Sequence, residues 1–186
     1  MPSPKPIEVY LGSHPAALDF VQAPKPFPSS FARETYFGVT AYAFTNTSNQ
    51  KKFGRYRILP EDGNDFLNDD QASKAGGNYL FDEIKGRIAK GPVRFKIVVQ
   101  IAEPGDVTDD ATVHWPETRQ LASFGTVELT SAVADNDPEQ QHIIFDPIPR
   151  VEGIDPSADP LLELRAAAYL LSGRQRRAAK AVVFSR

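Results

Sequence analysis

The chain has 186 residues, 21 Lys+Arg against 24 Asp+Glu for a net charge of −3, and no cysteine. That length suits one domain, and the missing thiols exclude disulfides, a cysteine nucleophile, thiolate-held iron–sulfur clusters and cysteine zinc fingers. A 41% hydrophobic share with 12 Phe and 6 Tyr excludes wholesale disorder; the slightly acidic balance argues against nucleic acid as a partner, and no apolar run reaches the ~18 residues of a membrane span.

Residues 1–28 read as an extended, proline-rich arm with one short helix. Pro2, Pro4 and Pro6 favour an extended start, 14–21 holds two helical turns with Pro15 near their beginning, and Ala23-Pro24-Lys25-Pro26-Phe27-Pro28 makes a second joint. The start lacks the apolar stretch of a secretory signal, so a cytoplasmic location is expected. The remainder, 29–186, reads as one body.

From Tyr36 the pattern turns to strands. Phe37, Val39, Ala41, Ala43 and Thr45 alternate with Tyr36, Gly38, Thr40, Tyr42 and Phe44, and aromatics fall in both sets, so neither face is simply wet. Asn46-Thr47-Ser48-Asn49-Gln50 supplies turn chemistry before a returning strand over 53–59, which predicts a hairpin. Helices follow over 68–74 and 78–90, the second with Leu80, Phe81, Ile84 and Ile88 at helical spacing, Asn78 as cap and Gly91-Pro92 as stop. A strand is predicted over 93–102, two more over 124–134 and 142–145, and a terminal helix from 159 to about 183. Strands, a helix pair, more strands and a last helix make an α+β chain with a mostly antiparallel sheet.

The terminal helix carries the sharpest constellation. Leu162, Arg165, Tyr169, Ser172, Gly173 and Arg176 recur at three- and four-residue steps and so share a face. A guanidinium one turn before a tyrosine favours the phenolate, and a phenolate is a competent ligand for ferric iron. Taken alone, the spacing fits a packed core tyrosine with solvated arginines better than it fits a ligand. His14, His114 and His142 lack the spacing of a zinc site. No phosphate-binding or nucleophile-elbow motif occurs, and the acidic runs 62–70 and 106–110 lack Ca²⁺-loop spacing and read as solvated loops.

A longer set of motifs is family-specific. Ser30-Phe31-Ala32-Arg33 leads into Tyr36-Phe37-Gly38-Val39 and Phe44-Thr45-Asn46; Phe53-Gly54-Arg55-Tyr56-Arg57 follows, then Asp110-Ala111-Thr112-Val113-His114-Trp115-Pro116. Phe145-Asp146-Pro147, Gly153-Ile154-Asp155-Pro156-Ser157-Ala158-Asp159 and Arg165-Ala166-Ala167-Ala168-Tyr169 close the series in order. Over residues 10–180 the chain resembles the C-terminal half of the haem catalase superfamily, in its catalase-related peroxidase branch.

That resemblance implies an antiparallel β-barrel of catalase type, of which 29–186 would be the second half, with a C-terminal helix carrying the haem-ligand tyrosine. It implies haem b as cofactor, Tyr169 as the iron ligand, Arg165 as the charge that keeps it ionised, Asp159 as an acidic residue of the network behind it, and Arg176 as a propionate-binding arginine. Tyrosine is the haem ligand of catalase as a class. Thr40 stands where larger catalases have a proximal histidine, and Gly173, Arg174 and Gln175 replace other residues around Arg176. The family's distal histidine and asparagine belong to its first half, so no catalytic residue is nominated here. Three functions follow: a catalase-related haem peroxidase acting on hydrogen peroxide or organic peroxides, a hydroperoxide isomerase of the allene oxide synthase kind, or an incomplete haem-binding or partner-packing fragment. Open barrel edges would call for a missing N-terminal half or a second copy.

Overall fold

The computed structural model describes residues 5–134 and 137–179. Two short helices come first, α1 (Pro6–Ser13) and α2 (Pro15–Gln22), each with proline in its first turn, where the missing N–H has no helical partner to lose. The extended arm expected at the start is therefore corrected from Pro6 onward: this proline begins a helix, with Lys5 N donating to Glu8 Oε2 at 2.8 Å across its first turn. Residues 1–4 lie outside the described residues. Neither helix buries a residue.

The chain then lays down β1 (Phe27–Pro28), a 3-10 turn at Phe31–Arg33, β2 (Tyr36–Phe37), β3 (Tyr42–Thr45), β4 (Lys51–Pro60) and β5 (Phe66–Leu67). Helices α3 (Asp69–Lys74) and α4 (Tyr79–Lys90) follow, then β6 (Val93–Ile101), β7 (Leu121–Leu129), a 3-10 turn at Pro138–His142, β8 (Ile154–Pro156) and α5 (Pro160–Ala178). The predicted hairpin is present, with Tyr42 opposite Gly54 and Thr45 opposite Lys51. Asn46 Oδ1 accepts from Ser48 N and Gln50 N, which is the turn chemistry its sequence offered. Both middle helices fall where periodicity put them. Asn68 and Gln71 form a reciprocal capping box on α3, whereas Asn78 stands at the start of α4 without a side-chain bond.

One antiparallel sheet runs β7-β6-β4-β3-β8, with β2 also on β4, and β1 pairs with β5 in a separate two-stranded ribbon. Among the described residues the large sheet remains open, with β7 and β8 at its ends. Ile97 pairs with Gly125 and Val98 with Ser123, so Phe124 is the extra residue of a bulge. One face is largely apolar, with Lys52 opposite Phe44 as a charged member of it. At one end of it Ala32, Val93 and Phe95 form a buried cluster against which the half-buried Ile58, Ile84, Ile88 and Leu129 pack, Ile84 and Ile88 being the face of α4 that meets the sheet. At the other end Tyr42, Phe44, Tyr56 and Phe124 meet one another tilted or edge-on, with ring centroids 5.5–5.8 Å apart.

Two strand expectations are corrected. The strand expected over 124–134 is β7, which begins three residues earlier and ends at Leu129, where its partner β6 begins at Val93. The strand expected over 142–145 does not form. His142 ends a 3-10 turn, and Asp146 turns the chain by accepting from Ile148 N at 2.9 Å. Pro147 and Pro149 have no N–H to give a ladder. No helix among the described residues is long and apolar enough to cross a membrane.

Candidate functional site

Helix α5 is placed by its approach. Gly153 holds a left-handed φ of +81°, and a Cβ there would sit 2.9 Å from Thr45 O, so glycine is needed where the chain turns onto β3. β8 then pairs Ile154 with Phe44 and Pro156 with Tyr42, and Asp159 caps the helix, its Oδ1 accepting from Leu161 N at 2.9 Å ahead of Pro160. The helix ends at Ala178, with Ala179 as its C-cap, earlier than the expected end near 183; residues 180–183 lie outside the described residues.

The predicted face is real. Leu162 and Gly173 are buried, Arg165, Tyr169, Ser172 and Arg176 are half-buried, and the residues between them are mostly exposed. Arg165 Nη2 donates to Tyr169 Oη at 3.3 Å, with the guanidinium carbon 5.5 Å from the ring centroid. Two turns on, Arg176 Nη1 donates to Ser172 Oγ at 3.2 Å and Nη2 donates to Ile143 O. Its guanidinium also lies 5.2 Å from the centre of the Phe145 ring, which is 58% exposed. The segment carrying these partners crosses α5 closely: a Cβ on Gly173 would meet Ile144 Cγ1 at 3.1 Å. Residues 143–145 of the expected 142–145 strand instead pack against Arg176 and Gly173 of α5. Phe145 drew notice only as part of a motif; its exposure beside an arginine is visible only in three dimensions.

Asp159 and Thr40 stand apart from that face. Asp159 is 5% exposed and serves the helix start, and its Oδ2 is buried without a hydrogen-bond partner. Thr40 is buried at the approach to β3. Sequence reasoning gave no role to Arg55, which is buried in β4, stacks 4.2 Å from the centre of the Trp115 ring, and donates to Val113 O at 2.8 Å and Asp110 O at 3.2 Å. Burial pulls its guanidinium below the ordinary value, and Asp159, then Asp106 and Asp110, act against that pull. In the sequence it stood out only as a member of the Phe53-Gly54-Arg55-Tyr56-Arg57 motif, with Trp115 sixty residues away.

The acidic loop is less solvated than expected. Arg119 takes Asp106 with two nitrogens at 2.9 Å and Glu103 at 2.6 Å, and this hydrogen bonding holds the Asp106 carboxyl below the ordinary range. His14 and His114 line one cleft of about 550 Å³ together with Tyr10 and Phe20, while His142 ends the 3-10 turn beside α5. No group of three or more metal-binding His, Asp or Glu occurs among the described residues.

A family model described as Catalase matches residues 14–182. The chain belongs to the catalase family. The catalase-related peroxidase of Synechococcus elongatus is 32% identical over 178 residues, covering 94% of this chain and 52% of that protein. That of Mycolicibacterium paratuberculosis is 32% identical over 177 residues, covering 94% and 56%. The chain spans about half the length of the curated relatives it matches. Among solved structures, a bacterial catalase superposes with a TM-score of 0.75 at 21% identity, over 90% of this chain and 35% of that one. Catalase A from Saccharomyces cerevisiae gives 0.70 at 20% identity, over 80% and 33%. The antiparallel sheet followed by a C-terminal helix is therefore a part of the catalase fold, and the resemblance carried by the motifs is borne out.

Proposed function

We propose that this catalase-family chain is the iron-ligand side of a catalase-related haem peroxidase. The carrying observation is the Arg165–Tyr169 contact, 3.3 Å long and on the inward face of α5, within the stretch the family model matches. The residues fit a flat anionic cofactor. A phenol oxygen beside a fixed cation is a donor for ferric iron; a second guanidinium lies two turns along, and an exposed aromatic ring lies beside it. In this reading Tyr169 would ligate the haem iron, Arg165 donates a hydrogen bond to the phenol oxygen and places positive charge beside it, Arg176 would meet a propionate, and Asp159 fixes the start of the helix that presents them. Haem, once bound, supplies the redox chemistry on hydrogen peroxide or organic peroxides.

The rest of the division of labour follows from the half-length match. Residues 29–186 are read as half of a catalase-type barrel, with 1–28 as its leading arm. The acid–base groups that move the peroxide proton come from the remaining half of the family's length, and the strands that continue beyond β7 and β8 come from that half or from a second copy of the chain. The solvent-facing Phe37, Leu121 and Phe124 fit a sheet that continues in another segment.

The test is a haemin titration of the 186-residue chain and of Tyr169→Phe, read in the Soret and charge-transfer bands. Different spectra support tyrosine ligation, and identical spectra overturn it. Positioned acid–base groups contribute about 10²–10⁴-fold. Oxygen evolution from peroxide by the loaded chain is therefore expected to stay within about tenfold of haemin alone. Turnover far above that would place a distal base inside this chain, and His114→Ala would be the first variant to make.

A further inference from the structure

Arg55 and Asp159 reach one region from far apart in the sequence. Ser157 N donates to Ala41 O at 3.3 Å, and Tyr42 pairs with Gly54, so the start of α5 comes down beside β3, one strand from Arg55. Ala41 and Ala43, both buried, put only methyl groups on the strand between. Arg55 is 6% and Asp159 5% exposed, and each keeps one buried polar atom without a hydrogen-bond partner, Nε on the arginine and Oδ2 on the aspartate. Everything else on them is committed: two Arg55 nitrogens to the 110–113 carbonyls, its plane to Trp115, and Asp159 Oδ1 to the helix cap. A buried charge without a counter-charge is strongly unfavourable, and these are two buried charges of opposite sign. Of the carboxylates acting on Arg55, Asp159 is the strongest.

We propose that Arg55 is a positioning residue for the α5 site: its buried guanidinium supplies the counter-charge to the buried Asp159 carboxylate across β3, without a direct hydrogen bond, and through that cap it sets where the helix presents Tyr169. The assignment rests on the reading of Tyr169 as iron ligand. It extends the site to a strand and to the Trp115 loop, neither of which touches α5 in sequence. Arg57, two residues along on the same face of β4, makes a different pair, with Glu117 at 2.7 Å, and is the natural control.

The experiment uses the whole chain as wild type, Arg55→Met, Asp159→Asn and the double variant, with Arg57→Met alongside. Asparagine keeps the helix cap while removing the charge. Haemin is titrated into each, and the charge-transfer band and affinity are read. Each single variant should weaken haemin binding about tenfold and move the band, and the double variant should be no worse than the worse single, because the two residues act as one unit. Arg57→Met should leave both readings unchanged. Additive losses in the double variant overturn the proposal. So does a change in the emission of Trp115, the single tryptophan, with the haemin spectrum unchanged, since Arg55 would then anchor the loop alone. Should Arg55→Met fail to fold, Arg55→Lys carries the cycle, and retention of the wild-type band by the lysine supports the charge pairing. If wild type shows no Tyr169-dependent band, the ligand reading falls by itself. The same four variants are then compared in thermal unfolding, where coupling supports the Arg55–Asp159 pairing and additivity overturns it.

Discussion

The sheet and the terminal helix are held by different physics. At the α4 end of the sheet, Val93, Phe95 and Ala32 are buried under Ile58, Ile84 and Ile88, and the long β4–β6 and β6–β7 ladders satisfy the backbone. Helix α5 buries only Leu162 and Gly173, and its remaining fixings are polar: the Asp159 cap at its start and the Arg176 bond to Ile143 O, with the Arg165–Tyr169 contact running along the helix itself. Apolar burial is non-directional and holds the sheet together whatever lies beyond it. Polar anchoring is directional and places particular atoms at particular points, which a site requires and a core does not. On the proposed reading of Tyr169 as iron ligand, stability and chemistry fall largely in different regions of this chain, and substitutions should separate them.

Phe95→Ala strikes the self-sufficient region and should cost about 3–5 kcal/mol, read as a fall in the urea midpoint at unchanged slope. A loss under about 1 kcal/mol would show that the α4 end is not the core. Asp159→Ala removes the cap of α5 and should cost at least about 1 kcal/mol, seen in the same titration together with a loss of helical ellipticity. Acid offers a third contrast. Asp106 sits below the ordinary carboxyl range because Arg119 hydrogen-bonds its charged form. The folded chain therefore binds fewer protons at this group than the unfolded chain does, so its contribution is whole above about pH 4–5 and fades as pH falls through the folded value. Arg119→Gln should flatten the fall of thermal midpoint below about pH 4, and an unchanged slope would remove Asp106 from the account. The smallest effect is expected from Tyr169→Phe, within about 0.5 kcal/mol of wild type in urea. A large destabilisation there would make Tyr169 a core residue and erase the contrast between the two regions.

The sequence by itself determined the local elements and the face of α5. Asn46-Thr47-Ser48-Asn49-Gln50 carries the hairpin turn, and Leu80, Ile84 and Ile88 carry the inward stripe of α4, since turn chemistry and periodicity act over a few residues. The step from Arg165 to Tyr169 is likewise local, so their contact could be read from spacing alone. The motifs carried the family as well. Only the tertiary structure decided the partners that spacing cannot reach. Ile143, Ile144 and Phe145 looked like a strand because they are apolar and branched or aromatic, but their place is against Arg176 and Gly173, where no neighbouring strand offers a ladder. Pro6 looked like an extended arm because proline breaks helices from within, though at the first turn it begins one. Arg55 stood out only as a member of the Phe53-Gly54-Arg55-Tyr56-Arg57 motif, with no role of its own. Its meaning lies in Trp115, Asp110 and Asp159, between 55 and 104 residues away, brought together because an antiparallel sheet sets distant strands side by side and the last helix returns to cap them.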